Sequence, residues 1–333
     1  MKIAFTINDV LNERPNYTTT HLAMHALARG HEVWYIEVGS FVLSHEDGLN
    51  ALARYLPQRA FDNRETLVAT LRETQPEAVR LPELDVLFLR NDPAADAISR
   101  PWAQLAGVNF GRLAQQAGVL VVNQPDGLFH AINKLYLQLF PAEIRPRTLI
   151  TRDFEAVQDF VDTVGGKAVV KPLRGSGGHN VFLISMEDHY NFRQIFDAVC
   201  QEGYLIAQEY LPEAPEGDTR LFLLNGEIIE SGGEVAAVQR VPLRGDLRSN
   251  LTAGGNAKRA EITPTIRRIA GLARPQLKAD GMFFVGVDLI GDRMVEVNVF
   301  SPGALIAAER VTGADFGSPI VAALEKMASA AVG

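Results

Sequence analysis

The chain has 333 residues, 47% hydrophobic and 22% charged, with a formal net charge of -8. That length supports two or three packed units, and the balance is that of a globular chain rather than a disordered one. The negative charge, without a long basic run, argues against a general nucleic-acid or acidic-membrane surface, and no apolar stretch reaches the length of a bilayer span.

The run Met1 to Ile7 stops at Asn8-Asp9; it is too short for a signal-peptide core and reads as a first strand. The single cysteine, Cys200, cannot form an internal disulfide and reads as a small buried hydrophobe on a helix, which fits a cytoplasmic protein. A helix over 19–28 is stopped by Gly30. Strands follow at 33–38 and 84–89, then a helix over 102–117 ended by Gly118 and a strand at 119–122. This alternation predicts a small doubly wound α/β domain over residues 1–124. Residues 44–82 are polar and weakly periodic, and no element is legible there.

Residues 125–211 read as an α+β unit. A helix over 132–140 carries Lys134 and is broken off by Pro141 and Pro146. Strands are expected at 148–150, 168–171, 181–184 and 205–210, with helices over 153–163 and 188–201. The strand at 168–171 runs into Pro172-Leu173-Arg174-Gly175-Ser176-Gly177-Gly178. Residues 212–333 are antiparallel in character. One hairpin turns at Asn225-Gly226, the strongest short-range signal of its kind. A polar stretch over 242–259, a helix over 265–279 and a second hairpin over 282–299 follow.

Two segments carry chemistry. In the glycine-rich loop Lys171 precedes the glycines and a strand follows, which is neither a P-loop nor a dinucleotide fingerprint. Its backbone N–H groups could cradle phosphate above Lys171, or it could be a mobile surface turn. In the second hairpin, Asp288, Glu296 and Asn298 are hard oxygen donors of the kind Mg²⁺ takes. Their convergence depends on register. A three-residue loop (Gly291, Asp292, Arg293) sets Asp288 opposite Glu296, with Asn298 on the same face and Val287, Leu289, Val295 and Val297 packed behind, whereas a two-residue loop puts Asp288 on the wrong face. A solvated polar face is the other reading, weakened by the apolar surroundings of Glu296 and Asn298. Lys134, Arg220, Arg240 and Arg248 matter if they share a cleft with these segments.

Taken in order, Lys134, the 170–178 segment, Gln208-Glu209-Tyr210-Leu211-Pro212, Gly217-Asp218-Thr219-Arg220, Ser249-Asn250-Leu251-Thr252-Ala253-Gly254-Gly255, Gly286-Val287-Asp288 and Glu296-Val297-Asn298 resemble an ATP-grasp enzyme of the bacterial glutathione synthetase type. The likeness runs nearly end to end and includes Arg90-Asn91-Asp92-Pro93 and Val121-Val122-Asn123. It implies an ATP-grasp fold behind a pre-ATP-grasp domain, with a central and lid part over 125–211 and a C-terminal part over 212–333. It implies ATP and Mg²⁺ (or Mn²⁺) as cofactors, with Asp288, Glu296 and Asn298 as metal ligands. Lys134, Lys171, Arg174, Gly175, Ser176, Gly177, Gly178 and Asp218 would serve the nucleotide, and Gln208, Glu209, Tyr210 and Leu211 the adenine side. Arg220, Arg240 and Asn250 would lie near the transferred phosphoryl group.

The implied activity is carboxylate–amine ligation through an acyl phosphate, with γ-glutamylcysteine and glycine as small-molecule partners and a homo-oligomer, tetramer or dimer, as the assembly. A ligase with another donor or amine and a nucleotide-sensing non-enzyme are the alternatives. Replacing Asp288 or Glu296 by Ala is expected to abolish turnover and leave the fold intact. Departures from the family pattern gather on the substrate side: a longer 228–239, Ser301-Pro302 followed by an apolar run with Glu309-Arg310 displaced, a different 8–20 loop, and Asn91 in place of an expected lysine.

Overall fold

The computed structural model describes residues 1–57, 61–175, 178–187, 189–201, 203–243 and 255–332. Five of the six residues in the strand Lys2–Ile7 are buried, as suits an apolar run covered on both faces of a parallel sheet. This strand pairs in parallel with Glu32–Ser44 on one side and Val86–Leu89 on the other, and Val86–Leu89 pairs in parallel with Leu120–Val122. Gly48–Leu56 and Glu77–Arg80 add two antiparallel strands at the far edge, both within the stretch where no element was legible. The parallel core is doubly wound. Its order reverses between Lys2–Ile7 and Val86–Leu89, so the carboxyl ends of those strands, at Asn8 and Arg90, open onto a crevice.

Two helical expectations need correction. The regular helix expected over 102–117 starts only at Ala106 and runs to Gln116; a 3-10 turn, Pro101–Ala103, precedes it. Trp102 is drawn instead over Gly39, where a Cβ would stand 3.1 Å from the indole. Residues Lys134–Leu139 form a 3-10 helix, not an α-helix. Its first N–H, from Lys134, goes to the carbonyl of Leu173, which ties the segment to the strand ahead of the glycine-rich loop.

The middle unit is a four-stranded antiparallel sheet in the order Thr148–Thr151, Leu205–Glu209, Lys167–Pro172, Phe182–Ser185. Helices Phe154–Thr163 and His189–Cys200 cover one face, packing Val157, Val161, Phe192 and Phe196 on Val170 and Leu205. Asp153 caps the first of these helices by accepting from the N–H groups of Glu155 and Ala156. Cys200 closes the second and is only half-buried, not a core residue.

The third sheet is built on Asp218–Leu224, flanked by Ala237–Val241 and Phe284–Ile290, with Asn256–Arg259 and Arg293–Asn298 outside them. Asn225 and Gly226 take φ of 51° and 77°, the left-handed pair a two-residue hairpin requires. Buried Asn123 fastens this sheet to the first unit, donating to the carbonyls of Phe284 and Val299 and accepting from the Phe284 N–H. The closing helix, Gly317–Val332, lies on Thr18–Ala28, and its Ile320 and Leu324 share one core with Ile3, Phe5 and Phe88. Among the described residues no helix is long and apolar enough to cross a membrane.

Candidate active site

A cleft of about 1030 Å³ opens where the three units meet. Along Lys167–Pro172 the residues Ala168, Val170 and Pro172 are buried, and the alternation of a strand turns Lys171 to the other face. There its Nζ donates to Gln208 Oε1 at 3.2 Å. Desolvation lowers the Lys171 amine to about 8; Glu296 opposes that shift and Lys134 adds to it. Lys134 Nζ donates to the carbonyl of Gly175, holding the entry of the glycine-rich loop. Arg174 and Gly175 also line the cleft. Ser176, Gly177, Arg248 and Asn250 lie outside the described residues, while Gly178 is described, with φ of 76°.

The hairpin that carries the acidic groups differs from the expected one in its turn. Ile290 pairs with Arg293, leaving the two-residue loop Gly291-Asp292, and Leu289 pairs with Met294. A bulge then takes up Val295, and Asp288 faces Glu296 after all. The bulge also changes what packs behind: Met294 is fully buried in place of Val295, which lines the cleft, while Val297 still packs against the core.

Asp288 is 2% exposed and held by arginines. Arg220, opposite it in register, donates from Nε to Oδ1 and from Nη2 to Oδ2, each at 2.7 Å. Arg240 Nη2 lies 2.8 Å from Oδ2. Arg240 also grips Asp218, opposite it in register, from Nε at 2.6 Å and Nη2 at 2.8 Å. Burial alone would raise the Asp288 carboxyl; the two guanidinium groups outweigh it and hold the carboxyl below its usual value. The same pairing holds Arg240 charged despite its burial.

Asn298 Nδ2 donates to Asp288 Oδ2 at 3.3 Å, which leaves its amide oxygen as a donor to a cation. Glu296 and Asn298 line the cleft. They are oxygen donors of the kind a magnesium-type ion takes, as is Asp288, whose two oxygens are held here by Arg220 and Arg240. Glu209, Tyr210 and Leu211 are not brought to the cleft wall. Glu209 instead accepts from the Arg147 N–H at 2.7 Å. Asp218 acts on the cleft through Arg240.

Two cleft residues received no role from the sequence. Arg90 is buried between Phe88 and Phe284, and burial lowers it to about 9. Its Nη2 donates to the Pro302 carbonyl at 3.2 Å. Glu13 is buried beside it, raised by burial, and accepts from Thr20 Oγ1 at 2.6 Å. Both sit at the switch point of the doubly wound sheet, which is the signal that could have found them.

The profile described as "Prokaryotic glutathione synthetase, ATP-grasp domain" matches residues 133–313, and that described as "Prokaryotic glutathione synthetase, N-terminal domain" matches residues 1–128. The chain belongs to the prokaryotic glutathione synthetase family. Its relatives include the glutathione synthetase of Synechococcus elongatus, 34% identical over 98% of this chain and 99% of that protein. The glutathione synthetase of Bradyrhizobium diazoefficiens is 37% identical over 77% of each. Among solved structures, D-cycloserine synthetase superposes with a TM-score of 0.66 at 14% identity, covering 99% of this chain and 100% of that one. D-alanyl-alanine synthetase A of Vibrio cholerae gives 0.58 at 11%, covering 98% of each. The protein is thus an ATP-using ligase with the ATP-grasp fold behind the family's N-terminal domain.

Proposed function

We propose that the chain joins the carboxylate of γ-glutamylcysteine to glycine by way of an acyl phosphate, consuming ATP. The observation that carries this reading is the meeting of Lys171, Gln208, Glu296 and Asn298 on one cleft wall, above the Arg220–Asp288–Arg240 cluster. Lys134 and Lys171 would receive the ATP phosphates, with the 174–178 loop closing over them and excluding water from the intermediate. Arg220 and Arg240, already fixed by carboxylates, offer preorganised positive charge where the transferred phosphoryl group gathers negative charge. Glu296, Asn298 and Asp288 would hold magnesium or manganese, which neutralises phosphate charge. Family likeness further supports a cytoplasmic homo-oligomer, dimer or tetramer, which sedimentation of the purified protein would size.

ADP release in the presence of ATP, Mg²⁺, γ-glutamylcysteine and glycine, with each omitted in turn, tests this. Release that needs all four, with glutathione identified by mass, is the expected result. Tight ATP binding without turnover would overturn glutathione as the product. One observation favours such a second reading, a ligase for another donor or amine. Glu309 is turned away from the cleft, accepting from the N–H groups of Phe316 and Gly317, while Arg310 lines the cleft.

A further inference from the structure

Helix Thr18–Ala28 carries His21 and His25 four residues apart, hence on one face. Their rings meet edge to face with centroids 4.5 Å apart, and the helix Leu305–Thr312 brings Glu309 against them. One ligand atom from each of the three lies within 4.8 Å of the other two. His21 is 7% exposed, and its buried Nε2 makes no hydrogen bond. Glu309 Oε2 is 2.8 Å from that nitrogen, near enough for His21 to help hold the Glu309 carboxyl below its usual value against burial, yet off the line along which a ring N–H would donate. A nitrogen and a carboxylate oxygen this close and unaligned are arranged as two ligands of one ion are.

The second imidazole is fixed with its lone pair available. Asp315 can only accept, so Ser318 Oγ donates to it. Ser318 Oγ must then accept from His25 Nδ1, 3.1 Å away, which leaves His25 Nε2 unprotonated. That nitrogen is 3.8 Å from Asp315 Oδ1, a fourth donor. Room for the ring is built in: a Cβ on Gly317 would fall on the His25 imidazole.

We propose that His21, His25 and Glu309, with Asp315, bind a divalent transition-metal ion of the zinc type, separate from the oxygen-only set in the cleft. Two imidazoles with carboxylate suit Zn²⁺ rather than Mg²⁺. Bonds of about 2.0 Å would set the donors about 3.3 Å apart, so the widest pair closes by about 1.5 Å while His21 Nε2 and Glu309 Oε2 open by about 0.5 Å. Positive neighbours oppose the ion: Arg29 acts on His25 through its charge, and Arg64 reaches His21. Arg64 Nη1 lies 3.5 Å from His21 Nδ1 and has to give way when that nitrogen becomes the protonated one. The ion would pin Thr18–Ala28 to Leu305–Thr312. Thr18 and Thr19 of the first helix and Ile306 and Arg310 of the second line the cleft, so the site sets the span between two of its walls.

Chelator-stripped full-length protein, kept in excess Mg²⁺ to fill hard oxygen sites, is titrated with Co²⁺ and then Zn²⁺. The expected result is one equivalent of Co²⁺ with the visible bands of tetrahedral ligation, displaced by Zn²⁺. His25→Gln and Glu309→Gln should each weaken binding at least about tenfold, and Glu309→Gln keeps an oxygen for the Phe316 and Gly317 N–H groups. Arg64→Gln should tighten it. Folded wild-type protein that takes up no tetrahedral Co²⁺ overturns the proposal whatever the variants do. So does an equivalent that survives unchanged in both ligand variants.

Discussion

Arg220 and Asp288 face each other across neighbouring strands and share two hydrogen bonds of 2.7 Å, both side chains at least nine-tenths buried. An ion pair so placed is costly to break from one side, because the survivor stays buried with its charge uncompensated. This changes one expectation. Asp288→Ala was expected to leave the fold intact, but it would strand Arg220 and take one carboxylate partner from Arg240. It should therefore damage stability and turnover together.

Arg220→Met should lower unfolding free energy by about 3–5 kcal/mol, read from urea denaturation. The variant also has a pH signature. Asp288 is held below its usual value, so its stabilisation is complete above the unfolded pKa of about 3.9 and is lost as pH falls through the lower folded value. Removing Arg220 leaves burial less opposed and raises the folded value, so acid unfolding should begin at higher pH. Unchanged acid and urea midpoints would contradict the pairing.

Glu296 separates chemistry from stability. It is half-buried on the cleft wall, so Glu296→Gln should leave the melting temperature nearly unchanged. Turnover should fall by more than about a hundredfold, and the Mg²⁺ concentration needed for half-activity should rise. Wild-type turnover in this variant would remove Glu296 from the metal site.

Lys171 titrates near 8 in the folded protein. Between about 8 and about 10.4 the unfolded chain binds the proton that the folded one has lost, so this residue makes stability rise with pH across that window. ATP phosphates require the charged amine, so ATP affinity should fall between about pH 7 and about pH 9 in the wild type. In Lys171→Met affinity should be weaker and much flatter with pH. Calorimetric titration at several pH values reads both; equal slopes would contradict phosphate contact by this lysine.

Gly286 lets the Ser301–Pro302 segment approach the sheet. A Cβ there would stand 3.0 Å from Pro302 Cβ and 3.5 Å from the Arg220 side chain. Gly286→Ala should destabilise by about 1–3 kcal/mol and raise KM for the carboxylate substrate more than for ATP. Equal changes in both would place the disturbance elsewhere.

The first strand, the helix over 19–28 and both hairpins were legible because apolar runs and turn residues act locally. Gly48–Leu56 was not. Its Asn50-Ala51-Leu52-Ala53-Arg54 is rich in helix-favouring residues, and it is a strand because the edge of Glu32–Ser44 pairs with it. The site divides the same way. Lys171, Glu296 and Asn298 could be found from strand alternation. The pairing of Asp288 with Glu296 could not be settled, since it depends on a bulge at Val295 that offsets a shorter turn. The partners of Arg220 and Arg240 come from strands 68 and 22 residues away in the chain, beyond the reach of any local pattern.

The closing helix, Gly317–Val332, supplies Ile320, Val321 and Leu324 to the core that holds Ile3 and Phe5. During synthesis the first strand therefore emerges long before its last covering layer exists. Until residues 317–332 leave the ribosome, the part of that core they cover stays exposed, the kind of surface that holdase chaperones take up. Removing residues 317–332 would leave every residue that lines the cleft on the chain and yet strip Ile320, Val321 and Leu324 from the core that holds Ile3 and Phe5.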